Sequence, residues 1–195
     1  MALTIVCHVD AVLQINQIKN VTWANVRMIP LANSGQKLGI PDYNRLLTSP
    51  EFWSRFESRF VLITHIDTAI FRKLDDWMFD YEIMGAPWRS SVVRGEKPQV
   101  GNGGYSLRNV NSMKVTLDSQ TYSVEHPHAS FPEDMWWNRK IHNLPNELKA
   151  LEFSAENFAL DDFIPTGAHQ LSQKGHIMIK IAKAFRELQQ YGRCI

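Results

Sequence analysis

The feature that most constrains the fold is a series of short apolar stretches separated by segments with helical spacing. Residues 2–8 form a continuous apolar run, and residues 60–66 are apolar and rich in β-branched side chains, as is typical of buried strands. Residues 26–31 and 81–86 are further strand candidates, each followed by turn residues. Because strands alternate with helices, we expect an α/β domain with a mostly parallel sheet flanked by helices, in which residues 60–66 form a central strand.

The segments between these strands carry helix signals. Helices are expected over residues 11–19, 41–47, 71–79, 110–117, 132–140 and 172–191, with a further turn or helix through Phe52, Phe56 and Phe60. Residues 88–101 are rich in polar residues, glycine and proline, which indicates a loop. Two short strands are expected late in the chain, at residues 151–154 and 159–163.

Composition narrows the class of protein. Hydrophobic residues make up 44% and charged residues 21% of the 195 residues, which is ordinary for a globular domain with a core. The net charge is +1 and both signs are interspersed, so we expect no nucleic-acid partner. The chain has no apolar stretch near the roughly 20 residues of a membrane-spanning helix, and no signal peptide is evident. The two cysteines indicate no disulfide framework. We therefore expect one soluble, cytoplasmic domain.

An acidic residue follows the strand at residues 60–66. The alternation of side chains along a strand places His65 and Asp67 on the same side. Open α/β sheets bind ligands beyond the carboxyl ends of their strands, so Asp67 is a candidate for a metal or phosphate site. An equally good interpretation is that Asp67 caps the turn that follows.

Three further groups of residues are candidates for chemistry. The turn Gly101-Asn102-Gly103-Gly104 lets the backbone approach a ligand closely, although it is neither a P-loop nor a dinucleotide fingerprint. Glu133 and Asp134 start a helix, where acids usually complement the helix dipole but can also serve as a general base. His169 follows a glycine-containing turn, and a neutral imidazole there is a candidate metal ligand.

In this order, the motifs resemble a family of glycosyltransferase-like domains with the pattern YNRLL, SPEF and QTD. The resemblance covers about residues 41–170 and, more distantly, extends to the glycogenin-like enzymes of the GT-A type. It is carried by Asp42-Tyr43-Asn44-Arg45-Leu46-Leu47, Ser49-Pro50-Glu51-Phe52-Trp53, His65-Ile66-Asp67, Met84-Gly85-Ala86-Pro87-Trp88, Gly101-Asn102-Gly103-Gly104-Tyr105-Ser106-Leu107-Arg108, Glu133-Asp134 and Gly167-Ala168-His169.

The resemblance implies a GT-A-type, Rossmann-like fold in a single domain over residues 1–195. Its nucleotide-sugar-binding part would span about residues 1–108, and its acceptor and metal-histidine part about residues 109–195. The implied reaction transfers a sugar from a nucleotide-diphosphate-sugar donor to a hydroxyl of a glycan or another acceptor. A divalent metal, manganese or magnesium, would bind the diphosphate.

The resemblance also assigns roles to residues. Asp67 and His169 would bind the metal, and Asp134, with Glu133 as a second candidate, would be catalytic. If the reaction inverts the anomeric centre, Asp134 would be the base; if it retains configuration, Asp134 or Asn102 would support the donor side. The donor would contact Arg45, Asn44, His65, Asp67, Asn102, Gly103 and Gly104.

One departure from the family pattern keeps other functions open. His65 stands where D-x-D enzymes have their first aspartate. The absence of that aspartate would be expected of a nucleotide-sugar- or carbohydrate-binding module that has no turnover. An unrelated α/β hydrolase is a further alternative, although no activated serine or cysteine nucleophile is evident.

Overall fold

The computed structural model describes residues 3–7, 26–30, 39–65, 67–88, 100–156, 159, 163–170 and 175–190. The chain divides into two compact units, Met1–Tyr43 and Asn44–Ile195. In the first unit, β1 (Leu3–Cys7) and β2 (Val26–Pro30) lie within the two expected strands, and they pair in parallel with Leu3 opposite Val26. The helix expected over residues 11–19 lies outside the described residues.

Helix α1 (Ile40–Leu47) runs from the first unit into the second, which contains the remaining elements. Its helices are α2 (Pro50–Ser54), a 3₁₀ helix (Asp76–Asp80), α3 (Val110–Ser119), α4 (Tyr122–Glu125), α5 (Glu133–Lys140), α6 (Glu147–Phe153) and α7 (Gly175–Gln190). Its strands are β3 (Phe60–Thr64), β4 (Ala69–Ile70), β5 (Ile83–Gly85), β6 (Tyr105–Asn109), β7 (Ser154–Ala155) and β8 (Gly167–Ala168). Among the described helices, none has the length and apolar character needed to cross a membrane.

The strands of the second unit form two small sheets. In the first, β6 lies between β3 and β5 and is antiparallel to both. In the second, β8 lies between β4, to which it is antiparallel, and β7, to which it is parallel. The protein is thus a mixed α/β structure, but the described strands pair mostly antiparallel, which differs from the expected mostly parallel sheet. The strand expected to be central, β3, has β6 as its partner, and β6 occupies the middle position.

Residues 71–79 do not form the helix that their amphipathic pattern predicted. The segment is irregular until the 3₁₀ helix begins at Asp76. The backbone N–H of Phe71 donates to the carbonyl of Thr166 at 2.8 Å, and the guanidinium of Arg72 donates to the carbonyls of Ile164 and Glu152. These contacts with α6 and with the residues just before β8 hold the segment in a non-helical conformation, so tertiary hydrogen bonds override the local helical pattern.

The expected strand at residues 151–154 is also corrected by the structure. Most of it is the last turn of α6, which begins where the side chain of Asn146 accepts a hydrogen bond from the N–H of Lys149 at 3.0 Å. This side-chain cap satisfies one of the free donors at a helix start and was not recognised in the sequence. Of the expected strand at residues 159–163, the described Ala159 and Phe163 are not in a strand, and residues 160–162 lie outside the described part.

Aromatic packing builds the core of the second unit. Trp53, Trp136 and Trp137 are fully buried, and their rings meet edge to face. The rings of Tyr105 and Phe153 stack with their centroids 4.8 Å apart. This stack packs α6 against β6. Because β7 directly follows α6, the stack helps to position both strands that border the candidate site.

Truncation of Phe153 tests the importance of this stack. We expect Phe153→Ala to lower the free energy of unfolding by about 3–5 kcal/mol, because a fully buried ring is lost and a cavity remains. Leu148→Ala in the same helix is the matched control: Leu148 is 63% exposed, so its loss should cost less than about 0.5 kcal/mol. Urea unfolding of both variants measures the difference, and equal values would show that the stack contributes little.

Candidate metal and catalytic site

The structure brings together three metal-ligating side chains that are distant in the sequence. Nδ1 of His65 lies 3.2 Å from Nε2 of His169, and the same Nε2 lies 3.3 Å from Oδ1 of Asp67. One ligand atom from each residue lies within 4.8 Å of the others. We call these three residues the His–Asp–His cluster. Asp67 and His169, which the sequence analysis assigned to one metal, are therefore neighbours, and His65 joins them.

The pairing of β4 with β8 explains why Asp67 and His169 meet. Ala69 is opposite Ala168 in this antiparallel pair, so the residues that precede β4 and follow β8 lie at the same end. Asp67 and His169 occupy these positions. His65 is fixed by its backbone N–H, which donates to the carbonyl of Gly104 at 2.8 Å where β3 and β6 separate.

The donor set fits a divalent transition metal. Ligand atoms bound to one ion at about 2.0–2.2 Å lie about 2.8–3.6 Å from one another, and the two separations at Nε2 of His169 fall in this range. His65 is partly buried, Asp67 is exposed and His169 is buried, so the cluster has one side open to solvent. Two imidazoles and one carboxylate leave further coordination positions for a ligand, as in catalytic sites.

A buried carboxylate, Glu156, lies on the other side of the His169 ring. Its Oε1 is 3.4 Å from Nδ1 of His169. Burial lowers the pKa of His169, but the hydrogen-bonding and charge interactions with Glu156 and the nearby Asp67 outweigh it and raise the pKa overall. For His65, burial and the neighbouring His169 lower the pKa. The pKa values of the two imidazoles are therefore shifted in opposite directions. The shift at His65 favours its neutral form, which is the form that binds metals.

The glycine-rich turn lies against the cluster. A Cβ atom built at Gly104 would be only 2.1–2.4 Å from ring atoms of His169, so the ring occupies the space that any side chain would need. Gly101 has a φ of 104°, a conformation that favours glycine. The N–H of Gly104 donates to Oδ1 of Asn102 at 3.1 Å, which closes the turn. Asn102, Gly103 and Gly104, all predicted to contact the donor, thus belong to a turn whose residue Gly104 lies against the cluster.

The same turn reaches the start of α5. The N–H of Gly103 donates to Oδ2 of Asp134 at 3.0 Å, and the N–H of Met135 donates to Oδ1 at 2.8 Å. Burial, and secondarily the charge of Glu133, raises the pKa of Asp134 to about 6, although these two N–H groups and Arg108 oppose the shift. A carboxylate that titrates near neutral pH is suited to accept a proton from a substrate. Gly103 and Gly104 therefore connect Asp134 to the His–Asp–His cluster.

Glu133 is placed differently from Asp134. Its carboxylate accepts two hydrogen bonds from the guanidinium of Arg108, at 2.7 and 2.9 Å, and both side chains are almost fully buried. Nε of Arg108 also donates to Ser106 at 3.1 Å. Because the charge of Glu133 is paired with the buried guanidinium of Arg108, whereas Asp134 accepts only from backbone N–H groups, the geometry favours a structural role for Glu133 and leaves Asp134 as the better candidate base.

Asn44 and Arg45 occupy opposite environments on α1. Asn44 is buried: its Nδ2 donates to the carbonyl of Ala129 at 2.7 Å, and its Oδ1 accepts from the N–H of Glu133 at 3.3 Å. These contacts connect α1 to the start of α5. A structural role therefore accounts for an asparagine at this position without any contact to a nucleotide-sugar donor. Arg45 is exposed. The predicted contacts of these two residues with a donor remain predictions.

Two residues near the site were missed in the sequence. The sequence around Arg108 indicates no function beyond its place at the end of a motif. The spacing of Ser106 and Arg108 along β6 does place the two side chains on one face of the strand. Glu156 follows a strand of only two residues, so no periodic pattern marks it. Both became apparent only when the buried charges were placed in three dimensions.

Gly104 provides a test of this geometry. We expect Gly104→Ala to displace the His169 ring, because the added methyl would overlap it, and to lower the free energy of unfolding by about 1–3 kcal/mol. Gly175→Ala is the matched control, since a Cβ there meets no atom of the described residues within 4 Å. Thermal unfolding measures both, and an unchanged Gly104→Ala variant would contradict the close approach of Gly104 and His169.

Comparison with known proteins gives one family. No curated protein matches the chain. The model of a protein family described as "protein of unknown function (DUF5672)" matches residues 26–169, a range that includes the His–Asp–His cluster, the glycine-rich turn and Asp134. Because this match covers well over half of the 195 residues, the chain belongs to the DUF5672 family.

Proposed function

We propose that the chain is a metal-dependent glycosyltransferase with a GT-A-type, Rossmann-like fold, which transfers a sugar from a nucleotide-diphosphate-sugar donor to an acceptor hydroxyl. The observation that carries this proposal is the arrangement about Gly103 and Gly104. The ring of His169, which belongs to the His–Asp–His cluster, lies against Gly104, and Asp134 accepts a hydrogen bond from the N–H of the neighbouring Gly103. The order of the motifs along the chain supports the same reaction.

In this proposal, His65, Asp67 and His169 would hold a divalent metal that neutralises the negative charge of a diphosphate leaving group. Two imidazoles favour a transition metal over magnesium, which prefers oxygen ligands, so manganese is the better of the two candidates. The same donor set is also used for iron(II) in oxygenases, and iron(II) therefore belongs in any binding test.

The chain's own residues would supply binding and proton transfer. Gly103 and Gly104 present backbone without side chains, which allows a sugar to approach closely. Asp134 is held by the N–H groups of Gly103 and Met135, so its carboxylate is oriented before a substrate arrives. In an inverting reaction, Asp134 would accept the proton of the acceptor hydroxyl. Asn102 and Arg45 would contact the donor.

Ligand-induced stabilisation tests donor and metal binding together. We expect nucleoside diphosphates and nucleotide sugars to raise the melting temperature in the presence of Mn²⁺ and to do so far less without it, because ligands that bind the folded state stabilise it. Asp67→Asn should abolish the metal-dependent part, whereas Asp118→Asn, which changes an exposed residue of α3, should keep it. No shift with any nucleotide would contradict the proposal.

Product analysis separates the proposed function from its rivals. A glycosyltransferase should consume the donor slowly in water and rapidly with a suitable hydroxyl acceptor. Binding without consumption would indicate a binding module, and consumption unaffected by acceptors would indicate a hydrolase. Turnover that requires both oxygen and iron(II) would show that the protein is an oxygenase and not a glycosyltransferase.

Asp134→Asn tests the proposed base. We expect the turnover rate to fall by about 10²–10⁴-fold with donor affinity nearly unchanged, because proton transfer is lost while the side-chain shape is kept. The wild-type rate should decline below about pH 6, where Asp134 becomes protonated, and this dependence should disappear in the variant.

Stability provides the complementary readout for Asp134. The pKa of Asp134 is raised in the folded state from 3.8 to about 6, so the folded state holds this proton more tightly than the unfolded state. The free energy of unfolding should therefore fall as pH rises from about 4 to about 6, and Asp134→Asn should lack this component. A variant with normal turnover would show that Asp134 only complements the helix start.

A further inference from the structure

Glu156 is a buried carboxylate for which the proposed reaction has no direct use. It is 4% exposed and directly follows β7, while His169 directly follows β8. The parallel pairing of Ala155 with Ala168 puts the two residues side by side, and the N–H of His169 donates to the carbonyl of Ala155 at 3.1 Å. The backbone thus fixes Glu156 next to the imidazole.

The two nitrogens of His169 face different partners. Nε2 lies 3.2 Å from Nδ1 of His65 and 3.3 Å from Oδ1 of Asp67, whereas Nδ1 lies 3.4 Å from Oε1 of Glu156. A neutral imidazole carries its proton on one nitrogen and has a lone pair on the other. Each carboxylate favours a proton on the nitrogen that it faces, but Glu156 is buried and Asp67 is exposed, so solvent screens the charge of Glu156 less. The proton is therefore favoured on Nδ1, and the lone pair then lies on Nε2.

We propose that Glu156 is a positioning residue that keeps the proton of His169 on Nδ1 and thereby directs the lone pair of Nε2 into the His–Asp–His cluster. The inference rests on the proposed metal site for its functional meaning. It assigns Glu156 an indirect role, because its carboxylate contacts the nitrogen that faces away from Asp67 and His65. Gly104 completes the arrangement, since its backbone packs against the same ring.

The surroundings of Glu156 argue against a purely stabilising role. Among the described residues, three buried polar atoms have no hydrogen-bond partner: Oε2 of Glu156, the hydroxyl of Ser154 and Nδ1 of His169. Nδ1 of His169 meets Glu156 at an ion-pair distance of 3.4 Å, without the geometry of a hydrogen bond. A buried carboxylate with an unpartnered oxygen is costly for folding. A residue that only filled this space would therefore be expected to be apolar. Within the described part of the chain, His169 is the ionisable side chain that pairs with Glu156, and this contact accounts for a charged residue at this position.

The first test is the tautomer of His169 in the metal-free protein. Long-range ¹H–¹⁵N NMR, recorded at a pH above the end of the His169 titration, distinguishes a proton on Nδ1 from one on Nε2. We expect the Nδ1–H form in the wild-type protein and in Glu156→Gln, whose carbonyl oxygen can accept a hydrogen bond. In Glu156→Leu, which has no acceptor, the Nε2–H form should appear. An unchanged tautomer in Glu156→Leu would overturn the inference.

The second test is the affinity for Mn²⁺ alone, measured by electron paramagnetic resonance. We expect Glu156→Leu to bind Mn²⁺ about 10–100-fold more weakly than wild type, as is usual when such an outer partner is lost. Glu156→Gln should lie between them, and Ser154→Ala, which removes the neighbouring hydroxyl only, should match wild type. Equal affinity in Glu156→Leu and wild type would overturn the positioning role.

The two measurements separate failure of this inference from failure of the proposed function. If the wild-type protein binds no Mn²⁺ but the tautomer changes as expected, the metal part of the proposed function is wrong and the control of His169 by Glu156 stands. If wild type binds Mn²⁺ and Glu156→Leu changes neither readout, the inference is wrong and the metal site stands. Should Glu156→Leu fail to fold, Glu156→Ala replaces it with the same expectations.

Discussion

The candidate site depends on the close approach of an imidazole ring to a stretch of backbone without side chains. The ring of His169 occupies the position where a Cβ of Gly104 would lie, and Oε1 of Glu133 is only 2.6 Å from the position of a Cβ at Gly103. The two glycines are therefore required by packing from both sides. If either carried a side chain, the elements that bear His169 and Glu133 would have to move apart, and the cluster would separate from Asp134.

A buried ion pair holds the backbone of the glycine-rich turn in position. Arg108 and Glu133 bond through two hydrogen bonds, and burying them costs solvation energy that only good geometry offsets. Because Arg108 is on β6 and Glu133 starts α5, the pair sets the distance between the glycine-rich turn and Asp134. The side-chain amide of Asn44 extends the network to α1 through the N–H of Glu133. The polar network thus fixes the geometry of the turn, while the tryptophan core supplies apolar burial.

The sequence predicted the parts of this structure that depend on local patterns. The apolar runs gave β1, β2 and β3, and the acids at residues 133 and 134 marked the start of α5. The placement of Asp67 after a strand, together with the motif order, was enough to expect it near His169. Strand direction was not predictable in the same way, because two sheets of short strands carry too little alternation to distinguish parallel from antiparallel pairing.

Residues whose roles arise from long-range contacts could not be assigned from the sequence. Asn44 lies within a motif that resembles a donor-binding helix, but its amide bonds to the chain at residues 129–133. Glu156 has no motif, and its significance comes only from the pairing of β7 with β8. Glu133 and Asp134 look equivalent in the sequence, and the position of Arg108 shows that Glu133 is in an ion pair, whereas Asp134 accepts hydrogen bonds from backbone N–H groups.

The most direct test of the central claim is anomalous diffraction from crystals soaked with Mn²⁺ and a nucleoside diphosphate, recorded on both sides of the manganese absorption edge. The proposed site predicts one manganese peak in contact with Nδ1 of His65, the carboxylate of Asp67 and Nε2 of His169, at ligand distances of about 2.0–2.6 Å. The diphosphate should complete its coordination. A peak elsewhere, or a nucleotide bound with Asp67 and His169 turned away from the ion, would contradict the claim.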